Sequence, residues 1–300
     1  PYHLRAPEIL VLHSYWLASL DVAGLCSDTA QLRLLDVSLN CLAQDVRAAL
    51  GSAAPGLDVR DEHQQHQQQQ QQQETGVCAP RVGVADMVGR RPQMEDYDVV
   101  ADDVRGDGTH SVQFYGLFDG HGGREVARQG GEFVQQYVCE HADALADPAA
   151  CEQTLVAALV QANRLFPVTP LDQCQGSTAL LAVVVGARRL HVANIGDSRA
   201  VLYSRGRAAR VSLDHKPLDP AEYQRILNVS GWVSPDGRIM GVLSVARALG
   251  DKALFPFVSS QPFTAAYELE TLPEGAPPGE QFLVLACDGV WDVVSDDQAC

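Results

Sequence analysis

Five short acidic segments lie along the last two-thirds of the sequence, and their residue types suit divalent cations. They span residues 94–96, 118–123, 196–199, 249–251 and 288–292. Hard cations take oxygen ligands from carboxylates and carbonyls, and a two-metal site must draw those ligands from several segments. Most of these carboxylates have a glycine beside them, which lets the backbone turn tightly and approach an ion. The pattern therefore predicts a metal centre assembled from distant parts of the chain.

The densest of these segments is Asp119-Gly120-His121-Gly122-Gly123. The two oxygens of Asp119 can bridge two metal ions, and the carbonyl of Gly120 can supply a further oxygen ligand. His121 is close enough in the chain to donate a proton near such a site. Taken without its neighbours, the same pentapeptide also fits a glycine-rich turn with no chemistry.

A second group of charged residues, Arg91, Glu95 and Asp96, precedes that segment. A guanidinium can bind phosphate through two parallel hydrogen bonds, so Arg91 beside carboxylates suits a phosphate substrate. By itself such a group also fits an ordinary charged surface. The sequence has neither a Gly-x-Ser-x-Gly nucleophile motif nor a Gly-x-x-x-x-Gly-Lys-Ser/Thr phosphate loop. The remaining chemistry is that of carboxylates, one histidine and one arginine.

The composition narrows the function classes. The 300 residues are 46% hydrophobic and carry 38 acidic against 22 basic side chains, which gives a net charge of −16. Nucleic-acid binding depends on basic contacts with phosphates, so this balance argues against it. The same charge suits a cation site, and it also fits a surface that simply keeps the protein soluble.

The eight cysteines include no Cys-x-x-Cys pair, which argues against a zinc clip. Most lie in apolar surroundings, and we expect reduced thiols and an intracellular, cytoplasmic setting. No apolar run approaches the ~20 residues of a membrane span, so no transmembrane segment is expected in this stretch. The sequence begins at Pro1 without a signal-peptide pattern, which predicts an excised fragment of a protein whose full-length form can still associate with a membrane.

A glutamine tract over residues 64–73, interrupted by His66, divides the sequence. Such a tract cannot bury a core, so residues 63–80 are predicted to be a disordered linker. Residues 1–62 repeat Leu-Asp-Val three times, and residues 32–42 have the pattern Leu-x-x-Leu-x-Val-x-x-Asn-x-Leu. This resembles a leucine-rich repeat. Because repeats bury their apolar faces on their neighbours, residues 1–62 are predicted to end a longer array.

Two other interpretations of residues 1–62 stay open. One is an ordinary segment of strand and helix. In the other, Ala6-Pro7-Glu8 resembles the Ala-Pro-Glu segment of protein kinases. Ala23 and Cys26 stand where a kinase has Trp and Gly, however, so the short motif has less support than the repeat.

Residues 81–300 have the pattern of a domain with both strands and helices. Apolar runs predict strands over residues 112–117, 179–185, 189–193, 200–203 and 281–286. Helical spacing predicts helices over residues 124–139 and 151–166. A third helix is predicted to begin at Asp219-Pro220-Ala221-Glu222, with Asp219 as the cap, and to end near Gly231. Short strands in succession with helices grouped between them indicate an α+β fold.

Taken together, the motifs of residues 81–300 resemble the metal-dependent protein serine/threonine phosphatases of the 2C type. Seven segments match in the order of the family, at residues 91–96, 118–123, 176–179, 194–200, 214–217, 243–251 and 285–293. Agreement of seven motifs in order is highly specific. The resemblance implies a four-layer α-β-β-α sandwich, with a binuclear metal site at one end of the central β-sandwich.

The resemblance also implies a ligand set for two Mg²⁺ or Mn²⁺ ions. Asp119 would bridge the two ions. Glu95 and the carbonyl of Gly120 would hold one ion, and Asp251 and Asp288 would hold the other. Two ions ~3.5–4 Å apart would lower the pKa of a shared water and stabilise in-line attack on phosphorus.

The remaining implied roles concern substrate, proton transfer and a third ion. Arg91 would bind the substrate phosphate, and His121 would protonate the leaving Ser or Thr oxygen. Asp96 is similar to the residue that orients the attacking water. Asp197 resembles part of a weak third metal site that shares Asp251.

Other matched segments are predicted to be structural. Residues 176–179 are interpreted as the tight start of a core strand, and residues 214–217 as a turn held by local hydrogen bonds. Arg199 is predicted to pair with a neighbouring carboxylate. Two features depart from the family: Phe255 stands where the family often has Lys, and the chain stops at Cys300, before a further helix and strand that the family has.

The sequence therefore predicts an enzyme that hydrolyses phosphoserine and phosphothreonine in proteins. The chain would be a C-terminally truncated 2C-type phosphatase domain, residues 81–300, behind the end of a leucine-rich-repeat array that recruits a protein partner. Such an order resembles both the PH-domain leucine-rich-repeat phosphatases and the fungal adenylyl cyclases. The alternative is a catalytically weak or inactive regulatory domain in a leucine-rich-repeat scaffold. A third class, an interaction module that acts through its repeats alone, is also compatible with residues 1–62.

Overall fold

The computed structural model describes residues 4–5, 8–14, 77–78, 82–88, 91–108, 111–186, 188–270 and 281–300. The repeat pattern at residues 32–42 and the glutamine tract lie outside these residues, so the leucine-rich-repeat and linker assignments stay predictions. The chain forms two compact units. The first comprises Pro1–Met94, Ala200–Arg210 and Glu270–Cys300, and the second comprises Glu95–Arg199 and Val211–Leu269.

The strands and helices of the described residues are given in chain order. The strands are β1 (Leu4–Arg5), β2 (Glu8–Ser14), β3 (Val77–Cys78), β4 (Val82–Met87), β5 (Tyr97–Ala101), β6 (Val112–Phe118), β7 (Gly120–His121), β8 (Gly176–Ser177), β9 (Ala179–Val185), β10 (Arg189–Ile195), β11 (Arg199–Ser204), β12 (Arg207–Arg210), β13 (Leu249–Gly250), β14 (Phe263–Glu268) and β15 (Gln281–Ala286). The helices are α1 (Glu125–Glu140), α2 (Pro148–Arg164), α3 (Pro220–Asn228), α4 (Asp288–Trp291) and α5 (Asp296–Ala299), with 3₁₀ turns at Ala142–Ala146, Leu171–Gln173 and Lys252–Leu254.

The second unit is built on an antiparallel sheet in the order β14-β10-β9-β6-β5. Apolar side chains of β6 and β9 pack with α1 and α2 into one core, whose members include Phe114, Phe118, Leu181, Val134, Val138, Leu155 and Leu159. Helix α2 begins with Pro148 in its first turn, and the carboxylate of Asp147 accepts the backbone N–H of Ala150 at 2.8 Å. Such a cap satisfies one of the free donors at a helix start and typically contributes about 1 kcal/mol.

A smaller antiparallel sheet in the same unit has the order β13-β8-β7. Each of its strands is two residues long. Its central strand pairs Gly176 with both His121 and Gly250. This small sheet therefore brings together two of the acidic segments that are far apart in the sequence.

The first unit contains a sheet in the order β12-β11-β15-β2-β4, in which β15, β2 and β4 run parallel. Val11 of β2 is fully buried and is the register partner of both Leu285 and Val84. Strand β2 falls within residues 1–62, where the sequence predicted the end of a repeat array. Val284 and Ala286 of β15 also pack with Trp291 of α4.

The strands and helices that the sequence predicted within residues 81–300 are present, with small errors at their ends. The predicted strand over residues 179–185 is β9, and the predicted strand over 281–286 is β15. Asp219 does precede the first turn of α3, but its carboxylate does not cap that helix. It accepts the backbone N–H of Lys216 at 3.2 Å instead. None of the described helices is long and apolar enough to cross a membrane.

Candidate active site

Asp119 directly follows β6, and its backbone is locked by a neighbouring strand. The hydroxyl of Thr178 accepts the N–H of Asp119 at 3.1 Å, and the N–H of Thr178 donates to the carbonyl of Asp119 at 2.9 Å. The Thr178 hydroxyl also shares a hydrogen bond of 2.7 Å with that of Ser198. Asp119 is 8% exposed, so its carboxylate lies near the surface of the core. Residues 176–179, which were predicted to be the tight start of a core strand, therefore also hold the backbone of Asp119, the predicted bridging ligand.

His121 and Asp251 meet across the small sheet. The Nε2 atom of His121 lies 2.7 Å from Oδ2 of Asp251. Their side chains come together beside Gly176, where an added Cβ would overlap both of them. Only glycine at that position leaves room for the pair, a requirement that the sequence motif did not reveal.

Several carboxylates set the protonation of His121. Burial of the imidazole lowers its pKa, but the hydrogen bond to Asp251 and the negative charges of Asp251, Asp197 and Glu95 outweigh burial and raise the pKa above its ordinary value. The imidazolium is thus stabilised near neutral pH. A protonated His121 can donate a proton to a departing oxygen, which is the role that the resemblance implied.

Asp251 stands in a tight turn with a left-handed backbone. Its φ is 45°, and that of the preceding Gly250 is 75°. The Oδ1 of Asn163, in α2, accepts the Gly250 N–H at 2.9 Å, and the carbonyl of Gln175 accepts the Asp251 N–H at 2.9 Å. The Sγ of Cys174 lies 3.3 Å from Oδ1 of Asp251. Neither Asn163 nor Cys174 belongs to an acidic segment, so no sequence motif pointed to these two residues.

Asp197 is buried and paired with a cation. Its Oδ2 contacts the ammonium of Lys216, a residue that the sequence assigned to a structural turn. Burial raises the pKa of Asp197, and the charge and hydrogen bond of Lys216 act in the opposite direction. Nearby, Arg199 and Asp214 form a bidentate pair whose shortest contact is 2.6 Å, which confirms the predicted partner class for Arg199.

Glu95, Asp96 and Gly120 lie in the same unit as Asp119. The backbones of Glu95 and Gly120 are in such close contact that a Cβ on Gly120 would overlap the Glu95 carbonyl. Glu95 is half-buried and Asp96 is 2% exposed. The structure therefore gathers Glu95, Asp119 and Gly120 at the junction of β5, β6 and β7.

Two further predicted site residues, Arg91 and Asp288, belong to the first unit. Arg91 is exposed in a turn, where its N–H donates to the carbonyl of Val88 at 3.2 Å. Asp288 opens α4, two residues after β15, and is half-buried. Asp292, in the same acidic segment, is exposed.

The donor set fits a hard divalent cation better than a soft one. Glu95, Asp119 and Asp251 offer carboxylate oxygens and Gly120 offers a carbonyl, whereas zinc centres use sulfur and imidazole. As the side chains stand, no three His, Cys, Asp or Glu residues in the described part of the chain surround a common point. Asp251 instead contacts His121, so ligation of an ion requires that side chain to be shared or released.

Comparison with known proteins agrees with this chemistry. The family profile described as "Protein phosphatase 2C" matches residues 81–300. The chain belongs to the protein phosphatase 2C family. It is thus a member of a family of protein phosphatases, and the prediction of a phosphatase domain in this part of the chain is confirmed.

Two curated plant proteins illustrate the relationship. The chain is 41% identical over 224 residues to "Probable protein phosphatase 2C 45" of Oryza sativa subsp. japonica, covering 72% of this chain and 73% of that protein. It is 40% identical over 225 residues to "Probable protein phosphatase 2C 59" of the same plant, covering 72% of this chain and 64% of that one. The chain therefore spans roughly two-thirds to three-quarters of the length of these relatives.

A solved structure supports the fold. The structure named "Crystal structure of serine-threonine phosphatase 2C from Toxoplasma gondii" matches with a TM-score of 0.57 at 21% identity, over 71% of this chain and 78% of that one. At that identity the similarity concerns the fold alone. The mixed strands and helices with antiparallel sheets agree with a phosphatase 2C fold.

Proposed function

We propose that this domain hydrolyses the phosphate monoesters of phosphoserine and phosphothreonine in proteins, with two Mg²⁺ or Mn²⁺ ions. The observation that carries the proposal is the contact of His121 with Asp251, inside a group of carboxylates, in a member of a phosphatase family. An acid beside metal ligands is what the cleavage of a phosphate ester requires.

The carboxylates divide between the two ions in the proposed site. By the family resemblance, Asp119 would be shared by both ions, Glu95 and the Gly120 carbonyl would hold one ion, and Asp251 and Asp288 would hold the other. When bound, the ions supply positive charge against the phosphate and make water a better nucleophile at neutral pH. Burial of Asp119 and Asp251 supports this assignment, because buried carboxylates are stabilised by a bound cation.

The other residues bind, orient and transfer protons. Arg91 is exposed and carries a guanidinium, which suits capture of the substrate phosphate. His121 holds the proton for the departing Ser or Thr oxygen. Asp96 orients the attacking water from its buried position next to Glu95.

The test compares two carboxylates of the acidic segments. In the intact protein, Asp119→Asn should lower Mn²⁺-dependent kcat/KM on p-nitrophenyl phosphate and on a phosphothreonine peptide by at least about a hundredfold. That scale follows because even residues that only support a metal ligand contribute about 10–100-fold. Asp292→Asn is the matched control and should leave the rate unchanged, since Asp292 is exposed.

The rival function is a catalytically weak regulatory domain. The contact of Asp197 with Lys216 favours it, because it engages one predicted ligand within the protein. A wild-type protein without Mn²⁺-dependent hydrolysis, or one in which Asp119→Asn has no effect, would contradict the enzymatic proposal and support this alternative.

The proposal also covers the layer arrangement of the domain, its cellular location and its partners. A four-layer α-β-β-α sandwich is proposed for the domain by resemblance to the family alone. Cys139, Cys151, Cys174 and Cys300 form no disulfide among the described residues, which supports a reducing intracellular, cytoplasmic location. Phosphoproteins are the proposed substrates, and a partner bound through the predicted repeats is the proposed route of recruitment.

A further inference from the structure

Lysine is rare in this chain, and one of its lysines lies against Asp197. The sequence contains 22 Lys and Arg residues, of which the only lysines are Lys216 and Lys252. The ammonium of Lys216 contacts Oδ2 of Asp197, which is 2% exposed. Most basic residues of the chain are arginines, whose planar guanidinium suits two parallel hydrogen bonds. The ammonium of Lys216 is a compact point charge, which suits contact with a single carboxylate oxygen.

The backbone fixes this pair from both sides. The N–H of His215 donates to the carbonyl of Gly196 at 2.9 Å, and its Nδ1 lies 3.1 Å from the same oxygen. The N–H of Lys216 donates to the carboxylate of Asp219, and the Asp219 N–H donates back to the Lys216 carbonyl at 3.0 Å. The segments that carry Asp197 and Lys216 are therefore hydrogen-bonded next to each other, and the ion pair does not depend on a freely moving side chain.

Because Asp197 is buried, its charged form requires a neighbouring cation such as Lys216. A carboxylate removed from water is strongly destabilised unless a cation or several donors compensate it. The neighbouring guanidinium of Arg199 is bound in a bidentate pair with Asp214. Lys216 reaches Asp197 from a side chain that is itself 38% exposed, so its cost of desolvation is modest.

We propose that Lys216 is the permanent cation of Asp197, so that this carboxylate is neutralised by the chain itself and does not bind a third metal ion. The inference rests on the proposed function and restricts it to two ions. It assigns Asp197 and Lys216 to the positioning of the site, where the pair joins residues 196–197 to residues 215–216.

The first experiment counts bound Mn²⁺ by electron paramagnetic resonance of the free ion, in the full chain. Lys216→Met removes the ammonium and keeps the length of the side chain, and it should bind one more Mn²⁺ than the wild type. Adding Asp197→Asn to that variant should abolish the additional ion. Lys252→Met, which removes the same charge beside Asp251, should bind as many ions as the wild type. Equal counts in the wild type and Lys216→Met would overturn the proposal.

A second measurement uses the unsubstituted protein, so it does not depend on the folding of a variant. Because the chain has two lysines, acetylation by acetic anhydride can be followed at each one by mass spectrometry. Saturating Mg²⁺ should leave the acetylation rate of Lys216, relative to Lys252, within about twofold. A rise of about tenfold in that ratio would show that Mg²⁺ displaces Lys216 from Asp197 and would overturn the proposal.

Failure of this inference differs from failure of the proposed function. A wild type that binds no Mn²⁺ and hydrolyses no phosphate ester contradicts the function. A wild type that is active but binds a third Mn²⁺, lost in Asp197→Asn, contradicts the inference alone.

Discussion

At the scale of single residues, Asp251 is held by a thiol as well as by an imidazole. The Sγ of Cys174 lies 3.3 Å from Oδ1, and the Nε2 of His121 lies 2.7 Å from Oδ2, so both carboxylate oxygens have a partner. The S–H group is a weak donor, but it restricts rotation of a carboxylate that the proposed site uses as a metal ligand. Burial, followed by the charge of Asp251, raises the pKa of Cys174 to about 11, so the thiol keeps its proton near neutral pH.

Cys174→Ala should therefore weaken Mn²⁺ binding by about tenfold, the low end of what such supporting contacts contribute. Cys174→Ser restores a donor of similar size and should recover most of the affinity. Mn²⁺ titration followed by paramagnetic resonance measures both variants without relying on turnover. The free Cys139, which is exposed, offers a matched control, and Cys139→Ala should bind Mn²⁺ as the wild type does. If the serine and alanine variants at 174 bind equally, the thiol has no orienting role.

At the scale of secondary-structure elements, His215 links two segments that carry site residues. Its N–H and Nδ1 both approach the Gly196 carbonyl, and its own carbonyl accepts the N–H of Ala246 at 2.8 Å. Burial, followed by the positive charge of Arg247, lowers the pKa of His215 to about 4, against weaker opposing effects from Glu222, the Gly196 carbonyl and Asp214. The imidazole is therefore neutral in the folded protein throughout the physiological range.

The low pKa predicts acid sensitivity. An unfolded histidine binds a proton below about pH 6.5, whereas folded His215 binds one only near pH 4, so stability is present above pH 6.5 and is lost as the pH falls towards 4. The loss should approach about 3 kcal/mol, from about 1.4 kcal/mol for each pH unit between the two values. His215→Asn can still donate to Gly196 and cannot titrate, so urea unfolding between pH 7 and 4 should show a shallower decline. His141→Asn, at an exposed position, controls for loss of an imidazole. Parallel curves for His215→Asn and wild type would refute this account.

The main helices and strands around the candidate site were largely predictable from the sequence, whereas the contacts between its side chains were not. Alternation and apolar runs predicted β9 and β15 because those strands are buried along their length, and burial leaves a local pattern. The contact of Asp251 with His121 could not be predicted from spacing, because 130 residues separate them and the approach depends on Gly176. Lys216 was interpreted as part of a local turn, which is correct, but its ion pair with Asp197 is formed only in the folded chain.

At the scale of the whole molecule, one sheet of the first unit includes a strand from outside the residues that the family profile matches. The family profile begins at residue 81, and the sequence places a repeat array in residues 1–62. Strand β2, however, lies between β15 and β4 in the sheet of the first unit, with Val11 fully buried. Asp288, a predicted metal ligand, follows β15 by two residues. Residues that stabilise this sheet therefore also hold Asp288 in place.

Replacing Val11 with a charged residue tests whether β2 is an integral strand of the sheet or part of a separate repeat domain. Val11→Asp should destabilise the first unit by at least about 3 kcal/mol, because it combines a lost apolar side chain with a buried charge. Hydrogen exchange should then accelerate at the amides of β15, and Mn²⁺-dependent hydrolysis should fall with it. Val168→Asp is the matched control at a position that is 75% exposed, and it should alter neither measurement. Unchanged protection of β15 in Val11→Asp would assign residues 8–14 to a separate repeat domain, because a strand that contributes to the sheet cannot accept a buried charge without loosening its neighbours.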